Sequence, residues 1–427
     1  MQLTVKGVEA SWIEKAKSKA KKRGVPLNQA LVPLSQTAFP LSMKNTMNYT
    51  LPIVLLAFAT STLSAKPQFR QQDIDTEVGV GYGLQIADMD GDKKLDIILV
   101  DKDKVAWYKN PSWKKHVISG HLTKKDHVCV TARDINGDGK AEIAVGAEWN
   151  LRDTVGSGAV FYLEPTKNRK GMWKPHKLHH EPTTHRMHWV LNPEGKYDLI
   201  VKPLHGKGND RENRGAPLKV LSYKMPDNPA DEWKTSLICA FLHNSHNFHP
   251  VNWDDDPEEE LLVTGQEGTW HLDRQCEGPW KRTVVSEEFG GEVRDGLTPD
   301  GTRVVATIEP RHGSHVVCYV KDGGKWKRNV LDTTFKDGHA LACADFLGTG
   351  GVQVLAGSRG MFPRAVPGIK LFVPKDKGYT QWETHQLSGA EMAVEDIKAA
   401  DLNGDGKPEF VAAGRQTHNL KIFWNEN

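Results

Sequence analysis

Leu84-Gln-Ile-Ala-Asp-Met-Asp-Gly-Asp-Lys-Lys-Leu-Asp-Ile-Ile-Leu-Val100, followed by Val105-Ala-Trp-Tyr108 and Trp113-Lys-Lys-His-Val-Ile118, holds the repeating unit of this chain. A short alternating run turns through an Asp-rich loop and continues as a β-branched run. An aromatic strand and a tryptophan-led strand complete the unit. These are four short strands separated by turn residues, with no helical periodicity. Trp113, Trp173, Trp233, Trp280, Trp326 and Trp382 mark its recurrence, at spacings of 60, 60, 47, 46 and 56 residues. Similar phrases surround them: Trp173-Lys-Pro-His-Lys-Leu178, Trp326-Lys-Arg-Asn-Val-Leu331 and Trp382-Glu-Thr-His-Gln-Leu387. A period of this size denotes a repeat array, and four-stranded units of this length are propeller blades.

Inner strands are expected to start near Tyr82, His127, His185, His246, Glu292, His339 and Glu395. The fold expected over residues 66–427 is therefore all-β, a seven-bladed β-propeller. Blade seven is short of a strand. It supplies an inner strand from Ile397, then Phe410-Val-Ala-Ala413 and Leu420-Lys-Ile-Phe-Trp424, and the sequence stops soon after. The stretch Phe69–Asp75, ahead of blade one, is expected to fill the gap as an N-terminal closing strand, leaving no open edge.

Upstream, Met43-Lys-Asn-Thr-Met47 leads into Leu51-Pro-Ile-Val-Leu-Leu-Ala-Phe-Ala59 and ends at Ala65. A basic start, a short apolar core and small residues read as a signal peptide over 43–65, implying a secreted or periplasmic protein. The apolar core is too short for a membrane span. Residues 1–42 precede that signal and are expected to be disordered, the product of a start codon placed too early; a genuine cytosolic extension is the alternative. Without residues 1–65 the chain has 48 basic and 52 acidic residues, so its net charge turns from +2 to −4. Nucleic acid is not an expected partner. Five cysteines, Cys129, Cys239, Cys276, Cys318 and Cys343, show no CxxC pairing, and Cys129 and Cys343 fall in inner strands as small apolar fillers.

Three Asp-rich turns look like cation loops. They run Asp88, Asp90, Asp92 closing on Asp96; Asp134, Asn136, Asp138 closing on Glu142; and Asp401, Asn403, Asp405 closing on Glu409. Alternating side-chain oxygens around a glycine suit a hard cation such as calcium or magnesium. An Asx turn satisfied by its own backbone is the alternative reading. Asn252-Trp-Asp254-Asp-Asp256 is an irregular version, and Asp345-Phe-Leu-Gly-Thr-Gly350 keeps the glycines alone. These blades resemble FG-GAP (VCBS-type) repeats, which implies a propeller but no particular function.

The opposite face gathers titratable residues. Inner strands begin with Asp126-His127, His185-Arg-Met-His188, His243-Asn-Ser-His246-Asn-Phe-His249, Glu292-Val-Arg294 and Gly338-His339. Loops between second and third strands contain Glu148-Trp149-Asn150, Pro203-Leu-His205, Glu309-Pro-Arg-His312-Gly-Ser-His315 and Ser358-Arg359. In a propeller both sets open on one mouth of the central channel. A single loop histidine is usually solvated or hydrogen-bonded without function, but so many facing one mouth suit metal ligation or acid–base chemistry. His185, His205, His246, His312 and His339 are expected to converge there, with Glu292, Glu309 and Arg294 nearby. His116 and His176, on outer strands, are expected at the surface.

The phrases His185-Arg-Met-His188-Trp, Lys202-Pro-Leu-His205, His246-Asn-Phe, Thr307-Ile-Glu309-Pro-Arg-His312-Gly and Gly338-His339-Ala resemble the propeller of the aldos-2-ulose dehydratases (1,5-anhydro-D-fructose dehydratases). That resemblance implies elimination of water from a 2-keto sugar and a divalent, zinc-like cation at the channel mouth. Those enzymes carry cupin domains after the propeller, and this sequence stops at blade seven. The chemistry needs a base for the proton beside the ketone, an electrophile for the enolate oxygen and an acid for the departing hydroxyl. Histidine, a His-bound cation, and Arg294 or Arg359 holding sugar hydroxyls would meet those needs. The expected function is a carbohydrate lyase or dehydratase acting on a sugar or oligosaccharide. A polysaccharide lyase on a uronate is a variant, and a non-catalytic propeller binding glycan or protein is the alternative.

Overall fold

The structure, a computed structural model, describes residues 66–427 apart from 255, 276–279 and 362–364. The readings made for residues 1–42 and 43–65 lie outside the described residues, as does Cys276. Seven four-stranded antiparallel sheets make up the fold. Inner strands begin at Gly83, Cys129, Thr184, Phe248, Glu292, Gly338 and Val394, each within two residues of its expected start. Among the described residues no helix is long and apolar enough to cross a membrane.

Burial follows radial position in each blade. Second strands such as Asp96–Val100, Glu142–Ala147 and Glu260–Gly265 are buried along their whole length. They are covered on both faces, which is why they read as continuous apolar runs and not as alternation. Outer strands are half-exposed and rich in lysine. The recurring tryptophans sit at or just before these strands. Trp173 and Trp233 are buried, and their indole N–H groups donate to the carbonyls of Arg169 and Pro229, four residues back. A Trp at this corner buries a large apolar surface while its one donor is satisfied locally. His116 and His176 are less open than expected: His116 packs on Trp107, and His176 binds Glu164 at 2.7 Å.

Blade seven has the strand order Phe69–Asp75, Asn419–Asn425, Glu409–Gly414, Val394–Ala400. The first of these lies antiparallel to the last strand of the chain, from Phe69 opposite Asn425 to Asp75 opposite Leu420. Asp75 also accepts hydrogen bonds from Tyr108 Oη and Lys115 Nζ, both at 2.6 Å, which ties this strand to blade one. Cys129, Cys239, Cys318 and Cys343 are free thiols. Burial pushes the thiols of Cys129 and Cys343 up to about 12, so both behave as apolar fillers.

Candidate functional site

Three of the inner strands carry a bulge at the same place. Pairing slips between Thr184 and Arg186 in blade three, between Gly338 and Ala340 in blade six, and between Val394 and Asp396 in blade seven. The extra residues are His185, His339 and Glu395. A bulge turns a side chain out of the regular alternation, and here it presents each of them to the mouth.

Four imidazoles meet there. His246 lies 4.6 Å from His185, 4.2 Å from His312 and 4.7 Å from His339, measured between ring centroids. His312 and His339 are 4.5 Å apart. One ring nitrogen each from His246, His312 and His339 falls within 4.8 Å of the others. Burial, reinforced by the neighbouring guanidinium groups and imidazoles, holds all four well below the ordinary histidine range. They are neutral at physiological pH, as metal ligands and bases must be.

Surrounding hydrogen bonds fix which nitrogen is bare. His246 Nδ1 meets Glu292 Oε1 at 2.7 Å, and His339 Nδ1 meets the carbonyl of Glu395 at 2.6 Å. Both partners are acceptors, so Nδ1 carries the proton and Nε2 presents a lone pair. His185 is similar, with Nδ1 on the carbonyl of His246 at 2.9 Å and Nε2 accepting from Arg186 Nη1 at 3.2 Å. His312 is the reverse. Arg359 Nη2 lies 2.8 Å from its Nδ1, and a guanidinium only donates. Its proton therefore sits on Nε2, which is buried without a partner. The donor set thus fits a divalent cation of the zinc type at His246 and His339, with His312 offering a proton beside them.

The rest of the mouth supports this cluster. Glu292 is fully buried, and its second oxygen accepts from Asn247 at 2.6 Å; burial raises its carboxyl above the usual range. Arg359 pairs with Asp337 at 2.8 Å, and Arg415 with Glu395 at 2.9 Å. Trp149 packs against His185, ring centroids 4.9 Å apart and tilted by 38°. The loop holding Arg311 and His312 is pinned by close backbone approach, since a Cβ on Gly291 would lie 2.0 Å from the carbonyl of Arg311. Arg294 lies in the channel wall. It donates to its neighbour's carbonyl and lies 3.9 Å from Glu292.

Two expected members stand apart. The carboxylate of Glu309 is bound by Thr307, Tyr319 and Arg328, on the strands of its own blade. It braces blade five. His205 makes no ring contact with the four; its amide and carbonyl bond to Thr183, and its Nδ1 is buried without a partner. Burial and the charge of Arg311 bring it down to about 4. Arg186, Asn247 and Arg311 were not singled out from the sequence, although the phrases His185-Arg-Met-His188, His246-Asn-Phe and Glu309-Pro-Arg-His312 contain them.

The FG-GAP-like repeat profile matches residues 88–145, and the FG-GAP repeat profile matches 130–163. Residues 88–163 are FG-GAP repeats. No curated protein matches the sequence. Among solved structures the chain is similar to a lectin from Agrocybe aegerita, described as recognising non-reducing terminal N-acetylglucosamine. The identity is 13%, the coverage 71% of this chain and 79% of the lectin, and the TM-score 0.45. A likeness of that order carries no argument about ligand.

The Asp-rich turns lie at the opposite ends of the inner strands from the histidines. Asp88, Asp134 and Asp401 each accept three backbone amides within their own turn, the Asx arrangement that holds without metal. In the first turn Lys109 Nζ sits 2.5 Å from Asp90 and 2.7 Å from Asp92, where a cation would compete with it. Asn136 and Asp138, and likewise Asn403 and Asp405, are exposed. The closing acids of the three Asp-rich turns are caps. Asp96 accepts the amide of Met89, Glu142 that of Ile135 and Glu409 that of Leu402. Blade six does the same with Gln353, which accepts the amide of Leu347 at 3.0 Å.

That substitution within the fold gives a test. Burial pushes Asp96 up to about 6 and Glu142 up to about 7. A carboxyl whose folded value is raised gives stability that is complete below its unfolded value and lost as pH rises through the folded one. Glu142→Gln keeps the acceptor and removes the buried charge. It is expected to raise the melting temperature by a few degrees at pH 8, on the order of 2 kcal/mol, with the gain vanishing near pH 4. A loss of stability at pH 8 that calcium accentuates would instead make Glu142 a cation ligand.

Proposed function

We propose that this protein is an exported carbohydrate lyase that eliminates water or an O-linked group next to a carbonyl of an oxidised sugar. The observation that carries this reading is the convergence of four neutral imidazoles from blades three to six, two with Nε2 atoms free of hydrogen bonds and one with a buried, unpartnered Nε2–H. Purely structural histidines have no reason to face one another with unpaired nitrogens at a channel mouth. His246 and His339 would hold a divalent cation, which when bound would polarise the carbonyl oxygen and stabilise its developing charge.

This chain's own residues supply the proton movements. Glu292 holds His246 in the tautomer that keeps its Nε2 lone pair toward the cluster. The carbon–hydrogen bond beside the carbonyl breaks with its proton passing to Nε2 of His185, whose lone pair is held by one 3.2 Å bond from Arg186. The electron pair forms the new double bond, and the neighbouring carbon–oxygen bond breaks. The Nε2–H of His312, which Arg359 keeps oriented, donates a hydrogen bond to the departing oxygen, and the proton that lets it leave is the one His185 has taken up. Arg294 lies in the channel wall, where it can hold a sugar hydroxyl.

The test is metal analysis of the purified protein, followed by incubation with 1,5-anhydro-D-fructose, glucosone and an oligouronate while watching the absorbance of an unsaturated product. Zinc or manganese close to stoichiometry, with unsaturated product forming from at least one of these oxidised sugars, is the expected result. Calcium alone and no elimination from any oxidised sugar would leave a binding propeller as the better account.

A further inference from the structure

Most charges at this mouth are compensated; the buried Lys202 spends its Nζ on the carbonyls of Pro203 and Ser245, and two guanidinium groups without a carboxylate point to the ligand. Arg359 has Asp337, Arg415 has Glu395, and Lys398 has Asp396 at 3.0 Å. Arg186 has no carboxylate among the described residues. Its Nη1 is spent on the carbonyl and Nε2 of His185, at 3.0 and 3.2 Å, and Arg186 lines the small cavity of the channel together with Arg294, Asp396 and Lys398. Glu292 and Glu395 feel its charge, yet neither is within ion-pair reach. Arg311 also makes no ion pair among the described residues, and its Nε is buried without any partner. Both guanidinium charges bear on His312, so both lie close to the imidazole cluster.

Unpaired guanidinium groups beside a cluster of neutral imidazoles are costly to hold out of water. A neutral sugar would leave that cost unmet. An anion would remove it, and the planar fork of Arg matches a carboxylate by two parallel hydrogen bonds. The cavity lined by Arg186 has a volume of about 20 Å³, room for about one water or one small group of a larger ligand.

We propose that the sugar bound at the histidine mouth carries a carboxylate, and that Arg186 grips this group from the channel side with Arg311 assisting at the rim. The proposal rests on the lyase reading only for the bond broken; the recognition of a uronate stands on the two arginines. It narrows the oxidised sugar to a uronic acid, whose carboxyl is itself the group that acidifies the neighbouring carbon–hydrogen bond.

The experiment is calorimetric titration of the full chain with methyl galacturonide and methyl glucuronide. The controls are their C6 alcohols, their methyl esters and glucose 6-sulfate. The uronates are expected to bind at least about ten-fold more tightly than alcohol or ester, the effect of one charge-assisted hydrogen-bonded pair. Arg186→Gln should erase that preference, Arg311→Gln should reduce it, and Arg186→Lys should restore part of it. Unchanged melting temperatures keep these losses attributable to recognition. Equal affinity for uronate and alcohol, no binding of either uronate, a sulfate bound as tightly as the uronate, or an Arg186→Gln protein that keeps the preference would each overturn the proposal. Failure of the lyase reading looks different: uronate binding that depends on Arg186, with no unsaturated product from oligouronates under any divalent metal. Elimination from a neutral keto sugar with uronates ignored would sink the arginine proposal alone.

Discussion

Deleting residues 66–76 is expected to leave this protein unable to fold. Those residues include the outer strand of blade seven, and without it the strand Asn419–Asn425 becomes an open edge. Leu420, Ile422 and Phe423 on that strand are fully buried. The loss extends beyond backbone pairing. Phe69 packs edge-on against Phe346 and Phe410, at 6.1 and 5.2 Å, so its removal opens the wall shared with blade six. Lys421 loses Asp73, Trp424 Nε1 loses Gln72, and the buried Tyr108 hydroxyl loses Asp75. One unsatisfied buried hydroxyl costs about 1–3 kcal/mol, and a buried aromatic contact contributes about as much again. Their sum, about 2–6 kcal/mol, reaches the lower end of the stability of a typical domain, about 5–15 kcal/mol, before the lost backbone ladder is counted. The control is a circular permutant that starts at Glu77 and carries residues 66–76 after Asn427 through a short linker. Gln68 and Glu426 already share a backbone hydrogen bond of 3.0 Å, so the joined ends form a hairpin. The permutant should melt close to the parent, while the deletion should yield no cooperative transition. A deletion protein with the parent's melting temperature would refute the latch.

The propeller was legible because its signals are local and repeated. An Asp-Gly turn, a buried β-branched run and a tryptophan corner each have a physical cause within a dozen residues, and their recurrence, six times for the tryptophan and three for the complete turn, let one register be read from another. The site was legible only as far as the frame reaches. His185, His246, His312 and His339 follow from knowing which strand ends and loops open on the mouth. Glu309 lies in the same phrase as His312, but cross-strand pairing with Tyr319 and Arg328 draws its carboxylate into the blade. Arg186 shows the converse. Strict alternation would put His185 and Arg186 on opposite faces, yet the slip in pairing after Thr184 lets the arginine reach back to its neighbour's ring. Bulges are set by how two strands pair, which no single stretch of sequence displays. Nor does sequence show which charge lacks a partner, since Arg186 and Arg359 look equivalent until Asp337 is found beside one of them.

Replacing His246 with alanine should abolish chemistry and also weaken the fold, and the two effects can be separated. If the lyase reading holds, turnover falls by about 10²-fold or more, the loss usual for a group that holds the metal or moves the proton. Bound metal should fall with it. His246 is 1% exposed and its Nδ1 binds Glu292 Oε1 at 2.7 Å, so it holds the interior as well as the site. Alanine strands that carboxylate in the interior with Asn247 and an arginine at 3.9 Å, which costs about 1–3 kcal/mol. A second change, Glu292→Gln, removes the stranded charge. The double variant His246→Ala/Glu292→Gln should regain most of the lost melting temperature and none of the turnover. Such non-additivity in stability, measured by thermal denaturation, is expected of two residues in direct contact. The His246→Ala protein with full turnover would end the lyase reading. Full turnover lost but bound metal retained would move His246 from metal ligand to proton carrier, and the bare Nε2 of His339 would then have to find another companion.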